Sequence, residues 1–277
     1  MKRKLKQLSR KAAKLLKNVV LKLQKSSQGV KDIALLVLQG LSIILLVAAI
    51  SIACGRRPNT KTIERKVADS VLMIKSLPES SIHGSGTAFE IKAASGKVYT
   101  ITNAHVCDLG YDGKILVEDK LHSRRFIPKR ILEVYADNDL CLIEGMENYP
   151  ALEIAESVES SQHIWAVGYP MGEGLNISEG RIKGFGVVQV SADKPLNECK
   201  GPKEHIVNIP TFFGDIPMCL IDRDAIQTDM LIYPGNSGSP MTNDDGEVVG
   251  VVFASNNLTH WGDSVPLTDI IKLLKAY

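Results

Sequence analysis

The sequence predicts an all-β domain over residues 66–277, closed by one short helix and preceded by a membrane-spanning helix. Three observations carry this reading. Ile33 to Ala53 contains no charge, the chain from Lys66 onward alternates short apolar runs with turn signals, and one amphipathic segment ends it. A composition of 44% hydrophobic and 23% charged residues fits an ordinary globular chain and excludes disordered or collagen-like architectures.

The first 31 residues carry eleven lysines and arginines and no acid, so the rest of the chain is acidic, with 22 bases against 31 acids. Within this arm (residues 1–32), Leu5, Leu8, Ala12, Leu15, Leu16, Val19, Val20 and Leu23 recur at helical spacing between lysines. That pattern suits a basic amphipathic helix lying on an anionic membrane surface. Nucleic acid is the poorer partner, because no aromatic is interleaved to stack on bases.

The apolar run that follows (residues 33–54 with Cys54) would cover the ~30 Å hydrocarbon core at ~1.5 Å per helical residue. A cleaved signal peptide is the competing reading, but signal h-regions are about 7–15 residues long. The charge excess before the span places the N-terminus in the cytoplasm and the body outside it, in the periplasm or at the cell surface. Ala53-Cys54-Gly55 adds a third reading, a lipidated cysteine, against which Ser51 stands where an aliphatic residue is usual.

Residues 55–65 read as a polar linker. Strands are then expected at Ser70–Ile74, Gly86–Ile91, Val98–Thr102, Ile115–Glu118, Leu140–Ile143, Ile164–Gly168, Gly184–Val190, Met230–Ile232 and Val248–Ala254. Turns are expected at Ala94–Gly96, Asp112–Gly113 and Asp244–Gly246. From Pro266 onward, Leu267, Ile270, Ile271 and Leu274 share one helical face. No repeat of 20–50 residues appears, which excludes solenoids and propellers.

Three segments carry chemistry. Pro234-Gly-Asn-Ser-Gly-Ser-Pro240 sets a serine between glycines, in a turn that exposes the hydroxyl and aims backbone N–H groups at one point. Gly235 and Ser237 would be those donors. Asn103-Ala-His105 ends one β-like run, and Asp137-Asn-Asp139 begins another. The order His105, Asp139, Ser237 is that of the chymotrypsin class of hydrolases, not of subtilisins or α/β-hydrolases. Asp137 competes for the acid's place, but Asp139 abuts the apolar strand directly.

Taken in order, Gly84-Ser-Gly-Thr-Ala-Phe, Thr102-Asn-Ala-His-Val, Asn138-Asp-Leu-Cys-Leu-Ile, Ala166-Val-Gly-Tyr-Pro-Met-Gly, the serine loop and Gly246-Glu-Val-Val-Gly-Val-Val resemble the trypsin-like serine peptidases, especially their bacterial HtrA-type and glutamyl-endopeptidase branches. The resemblance covers roughly residues 66–277. It implies two six-stranded antiparallel β-barrels with a catalytic cleft between them, with His105 as general base, Asp139 orienting it and Ser237 as nucleophile. A polypeptide is the implied substrate, and a homo-oligomer is compatible because HtrA-type proteases often form trimers.

The departures matter too. No Ile-Val-Gly-Gly-like activation start is present, and a PDZ domain is not expected in the roughly forty residues after Ser237. Val252 stands where glutamyl endopeptidases carry a histidine. Leu231, Val252, Phe253 and Ala254 are the expected pocket residues, suited to a small or medium apolar side chain. A catalytically silent, membrane-anchored peptide-binding homologue is the alternative from another class.

Cys107, Cys141, Cys199 and Cys219 allow three pairings; Cys199–Cys219 would close a short loop, and Cys107 and Cys141 each follow a triad candidate by two residues. Four buried free thiols are the competing reading. His83, His122, His163, His205 and His260 lack metal-ligand spacing, so no metal and no cofactor is expected. The sequons at Asn176 and Asn257 would matter only in a eukaryotic secretory setting.

Overall fold

The computed structural model describes residues 58–192, 194–211, 214–255 and 262–277, without the side chains of Ala254 and Ser255. The arm, the apolar span, Cys54 and the sequon at Asn257 lie outside the described residues. Among the described residues no helix is long and apolar enough to cross a membrane.

Helix α1 (Thr60–Val67) comes first and overlaps the segment read as a polar linker, residues 55–65. Asn59 caps it by accepting the Thr62 N–H at 3.0 Å, while Ile63 and Val67, one turn apart, are buried. Polar residues between them hid a helix whose apolar stripe is only two side chains wide.

Six strands form a closed antiparallel barrel: β1 (Val71–Lys75), β2 (Ser85–Lys92), β3 (Val98–Thr102), β4 (Lys114–Asp119), β5 (Arg125–Tyr135) and β6 (Leu140–Glu144), in the order β1-β2-β3-β6-β5-β4. The second sheet has seven strands, one more than expected: β7 (His163–Gly168), β8 (Asn176–Ser191), β9 (Glu204–Thr211), β10 (Gly214–Thr228), β11 (Pro240–Thr242), β12 (Val248–Ser255) and β13 (Gly262–Pro266). Its order is β13-β12-β11-β7-β8-β10-β9, and β10 also pairs with β13, closing six of the strands into a ring. The extra strand β9 adds to the first half of β10, outside that ring. The expected strand Met230–Ile232 is absent; after β10 the Met230 N–H turns back onto the Thr228 hydroxyl at 3.3 Å. Helix α3 (Leu267–Lys275) ends the chain with Leu267, Ile270, Leu273 and Leu274 buried, the amphipathic helix expected there.

One apolar cluster joins the two sheets, with Phe89, Ile101 and Leu140 from the first and Trp165, Val167 and Val251 from the second. Each such side chain contributes about 1.5–3 kcal/mol when fully buried. Two disulfides are present, and with them the thiol reading of these cysteines falls. Cys199–Cys219 fastens the segment before β9 to β10, and Cys107–Cys141 closes a loop across the first barrel with a sequence separation of 34. In the chain-entropy picture a loop of that size contributes about 4 kcal/mol.

The β2–β3 register sets Glu90 opposite Thr100, so their side chains share a face inside the first barrel. Glu90 is fully buried there, bonded to the Thr100 hydroxyl, and its second oxygen accepts the Met146 N–H at 3.2 Å. Burial raises its pKa to about 7, against those hydrogen bonds and the charge of Lys129. The folded state then holds a proton that the unfolded chain releases near pH 4.5, so the stability that Glu90 contributes is fully present below that pH and is lost as pH rises to about 7. The loss should be about 3 kcal/mol. Thermal unfolding of Glu90→Gln between pH 4.5 and 8 should show a much flatter profile and a higher Tm than the parent at pH 8; parallel profiles would contradict this account.

Candidate active site

In the β3–β6 pair Thr102 lies opposite Cys141, so the residues just after β3 face those just before β6. Asn103 reinforces the junction, its side-chain amide donating to the Asp139 carbonyl at 2.9 Å. The chain then makes a single helical turn, α2 (Ala104–Cys107), while a 3₁₀ turn (Ala136–Asn138) delivers Asp139. Asp139 has left-handed backbone (φ 52°, ψ 46°), which aspartate tolerates better than most residues, and strain of this kind concentrates at functional sites. The Cys107–Cys141 bridge lies two residues beyond each side chain and fastens α2 to β6.

His105 and Asp139 meet closely. Nδ1 of His105 lies 3.0 and 2.9 Å from the two carboxylate oxygens, and the His105 backbone N–H donates to Oδ1 at 3.1 Å. An ionised carboxylate only accepts, so the ring proton on this side sits on Nδ1 and leaves Nε2 as a base. The carboxylate is 1% exposed and the imidazole 45%, so the acid is sealed while the base stays accessible. Burial pushes the Asp139 carboxyl up, but the His105 hydrogen bonds and the charges of His105 and Arg223 outweigh it and hold it below the usual carboxylate range.

The serine turn follows from its glycines. Gly235 (φ 92°) and Gly238 (φ 85°) take backbone conformations that side chains rarely adopt. A Cβ on Gly238 would lie 1.9 Å from the Thr87 carbonyl and 2.2 Å from the Thr102 hydroxyl, because the turn packs directly on β2 and β3. The Ser237 carbonyl accepts the Thr87 N–H at 2.9 Å. A Cβ on Gly86 would have Val106, the residue after His105, at 2.7 Å and the Ser237 carbonyl at 3.5 Å. The serine turn of the second sheet and the histidine turn of the first thus converge around Gly86. Ser237 Oγ itself donates to the Phe253 carbonyl at 3.5 Å.

Met171 N–H binds the Pro234 carbonyl at 2.7 Å, fixing the peptide plane ahead of Gly235. Among the described residues neither the Gly235 nor the Ser237 N–H has an acceptor, the condition for two donors awaiting a ligand's oxygen. Of the four expected pocket residues, Phe253 adjoins Ser237 through its carbonyl, Val252 is fully buried, and Leu231 is 53% exposed. Ala254 lies on β12 with its side chain outside the described set. A cavity of about 560 Å³ lies elsewhere, beside Phe185, Val187 and the start of α3.

Two contributors escaped the sequence reading. Thr87 bridges the halves, its hydroxyl donating to the Gly235 carbonyl at 2.8 Å and accepting the Tyr169 N–H at 3.0 Å. Arg223 reaches Asp139 Oδ2 at 3.2 Å from β10. The sequence signal for Arg223 was its phase: it lies midway between Ile221 and Ala225, both buried, in a strand where alternate residues share a face.

Comparison with known proteins finds serine proteases among the relatives of this chain. The chain is 24% identical over 202 residues to the serine protease Do-like HtrA of Bacillus subtilis, covering 69% of this chain and 39% of that protein. It is 30% identical over 177 residues to a probable periplasmic serine endoprotease, DegP-like, of Chlamydia pneumoniae, covering 63% and 29% respectively. The chain therefore spans well under half the length of these relatives. Among solved structures, a protease of M. tuberculosis in its active form superposes with a TM-score of 0.57 at 19% identity, over 79% of this chain and 87% of that one. The HtrA-type protease AlgW, solved with a tripeptide, gives 0.56 at 21% identity, over 79% and 63%. The profile of the trypsin-like peptidase domain matches residues 84–251, more than half of the chain, and this protein belongs to that family.

Proposed function

We propose that this protein is a serine endopeptidase that hydrolyses polypeptides through an acyl-enzyme, with His105, Asp139 and Ser237 as its triad. The observation that carries it is the convergence around Gly86 of the Ser237 turn with the histidine that Asp139 holds. Ser237 Oγ would attack the scissile carbonyl as His105 Nε2 takes its proton, and the imidazolium formed would be stabilised by Asp139. The N–H groups of Gly235 and Ser237 would bind the oxyanion of the tetrahedral intermediate. His105 would then protonate the leaving amine, and water activated by the same histidine would release the acyl group. Nothing in mere peptide binding requires a buried carboxylate on a solvent-accessible histidine, which disfavours the silent homologue.

Leu231, Val252, Phe253 and Ala254 offer only apolar side chains, which supports cleavage after a small or medium apolar residue. The basic arm and uncharged span support a membrane tether, with the arm cytoplasmic, bound to anionic lipid, and the peptidase domain outside. Incubating the full chain with an unstructured protein and sequencing the fragments tests the reading. Cuts after small or medium apolar residues are expected; cuts after acidic or basic residues would overturn the specificity, and an intact substrate the activity.

A further inference from the structure

Arg223 belongs to the second barrel, whereas the two residues it affects belong to the first. Its side chain is 15% exposed. One terminal nitrogen lies 3.2 Å from Asp139 Oδ2, and the other donates to the Ala136 carbonyl at 3.1 Å, on the turn that delivers Asp139. The guanidinium carbon sits 5.9 Å from the Phe253 ring, whose residue carbonyl receives the Ser237 hydroxyl. Arg223 therefore touches the acid, the turn that aims it and the residue beside the nucleophile. Its Nε is buried without an acceptor among the described residues, so the two terminal nitrogens carry the contacts of the guanidinium.

Two consequences follow from ordinary chemistry. The His105 ring and backbone N–H hold the carboxylate from one side, and an ion pair to Oδ2, anchored from another strand, opposes its rotation about χ2 from the other. A cation beside the carboxylate also offsets part of the charge that would otherwise favour imidazolium over imidazole. We propose that Arg223 is a positioning residue of the peptidase reaction, acting through Asp139: it locks the carboxylate onto His105 and keeps the pair from taking up a proton except at lower pH. This inference rests on the triad reading given above.

Other charged or titratable groups lie on the elements packed around the pair. They include Asp108 after α2, Asp137 in the turn, Lys129, Arg130, Glu133 and Tyr135 on β5, and Asp222 and Asp224 beside Arg223. Glu133 is taken by the Tyr277 hydroxyl at 2.6 Å and Asp222 by Gln189 at 3.2 Å. Among the described residues, the ion pairs of the Asp139 carboxylate are with His105 and Arg223.

The test uses the full chain with Arg223→Met, Arg223→Gln and Arg223→Lys. Two readouts run in parallel: the pH profile of kcat/KM on a peptide substrate, and the ¹⁵N-histidine NMR titration of His105 in a Ser237→Ala background. Loss of the charge in Arg223→Met should move the acid limb and the His105 titration upward by about one pH unit. The plateau kcat should fall roughly 10–100-fold with KM changed less than about twofold, as expected when an aid to the transition state is lost. Arg223→Lys keeps the charge without the fork, so its acid limb should stay within a few tenths of a unit while kcat still falls. If Arg223→Met does not fold, Arg223→Gln against Arg223→Lys makes the same comparison. An unmoved limb and titration in the neutral variants would reduce Arg223 to a structural tie between β10 and the Asp139 turn. If the chain cleaves nothing, the proposed function fails, yet the NMR titration still decides whether Arg223 governs His105.

Discussion

Ser237→Ala should lower kcat by on the order of 10⁶, with little change in folding or KM. The loss corresponds to about 8 kcal/mol of transition-state stabilisation. It is large because the groups left have other roles: His105 moves a proton, the backbone donors stabilise an oxyanion that something else has formed, and the neighbouring Ser239 is fully buried. The substitution should be structurally mild. Ser237 Oγ makes one 3.5 Å contact, to the Phe253 carbonyl, while the turn is held by backbone bonds, including Thr87 N–H to the Ser237 carbonyl at 2.9 Å. Steady-state kinetics on an unstructured protein substrate, with circular dichroism as the folding control, reads both parts. A variant that keeps a tenth of the activity would mean that another group performs the attack.

Asp139→Asn should cost about 10⁴ in kcat, because an amide can donate to Nδ1 and so stabilise the tautomer whose Nε2 carries the proton. Asp137→Asn should change kcat less than about threefold. The two acids lie two residues apart, yet Asp139 is fully buried against His105, whereas Asp137 sits in the preceding 3₁₀ turn, which has no buried residue. Measuring both variants from pH 5 to 9 separates them. Equal losses, or the larger loss at Asp137, would contradict the assignment of the acid.

The first barrel was largely legible because its strands carry dense apolar runs: β3 falls at the expected residues, and β1, β2, β4 and β6 differ only by a residue or two at their ends. β5 was missed because Arg125, Lys129 and Arg130 break its apolar signal and Pro128 argues against a strand. β9 and β10 were hidden similarly, by Pro210 and Pro217 and by acids at Asp215, Asp222 and Asp224. β13, Gly262–Pro266, has almost no intrinsic strand preference and exists because β10 and β12 both pair with it. The Met230–Ile232 error has the opposite cause: three apolar residues that pair with no strand among the described residues.

The site was legible where its chemistry lies in local motifs and hidden where it lies in packing. Gly235 and Gly238 declare their turn in the sequence, as does the order of His105, Asp139 and Ser237. Thr87 and Arg223 do their work across distances of 148 and 84 residues along the chain, which no local pattern encodes. Val252, Phe253 and Ala254 fall on β12 as strand residues, but which side chains line a pocket depends on the loops at the sheet's end more than on strand identity.

The most direct test of the central claim is to label the full chain with a fluorophosphonate and locate the adduct by mass spectrometry. The phosphorus should be found on Ser237 Oγ, labelling should be lost in Ser237→Ala and strongly slowed in Asp139→Asn. Labelling of a different serine, or no adduct on a folded chain at pH 8, would contradict the account.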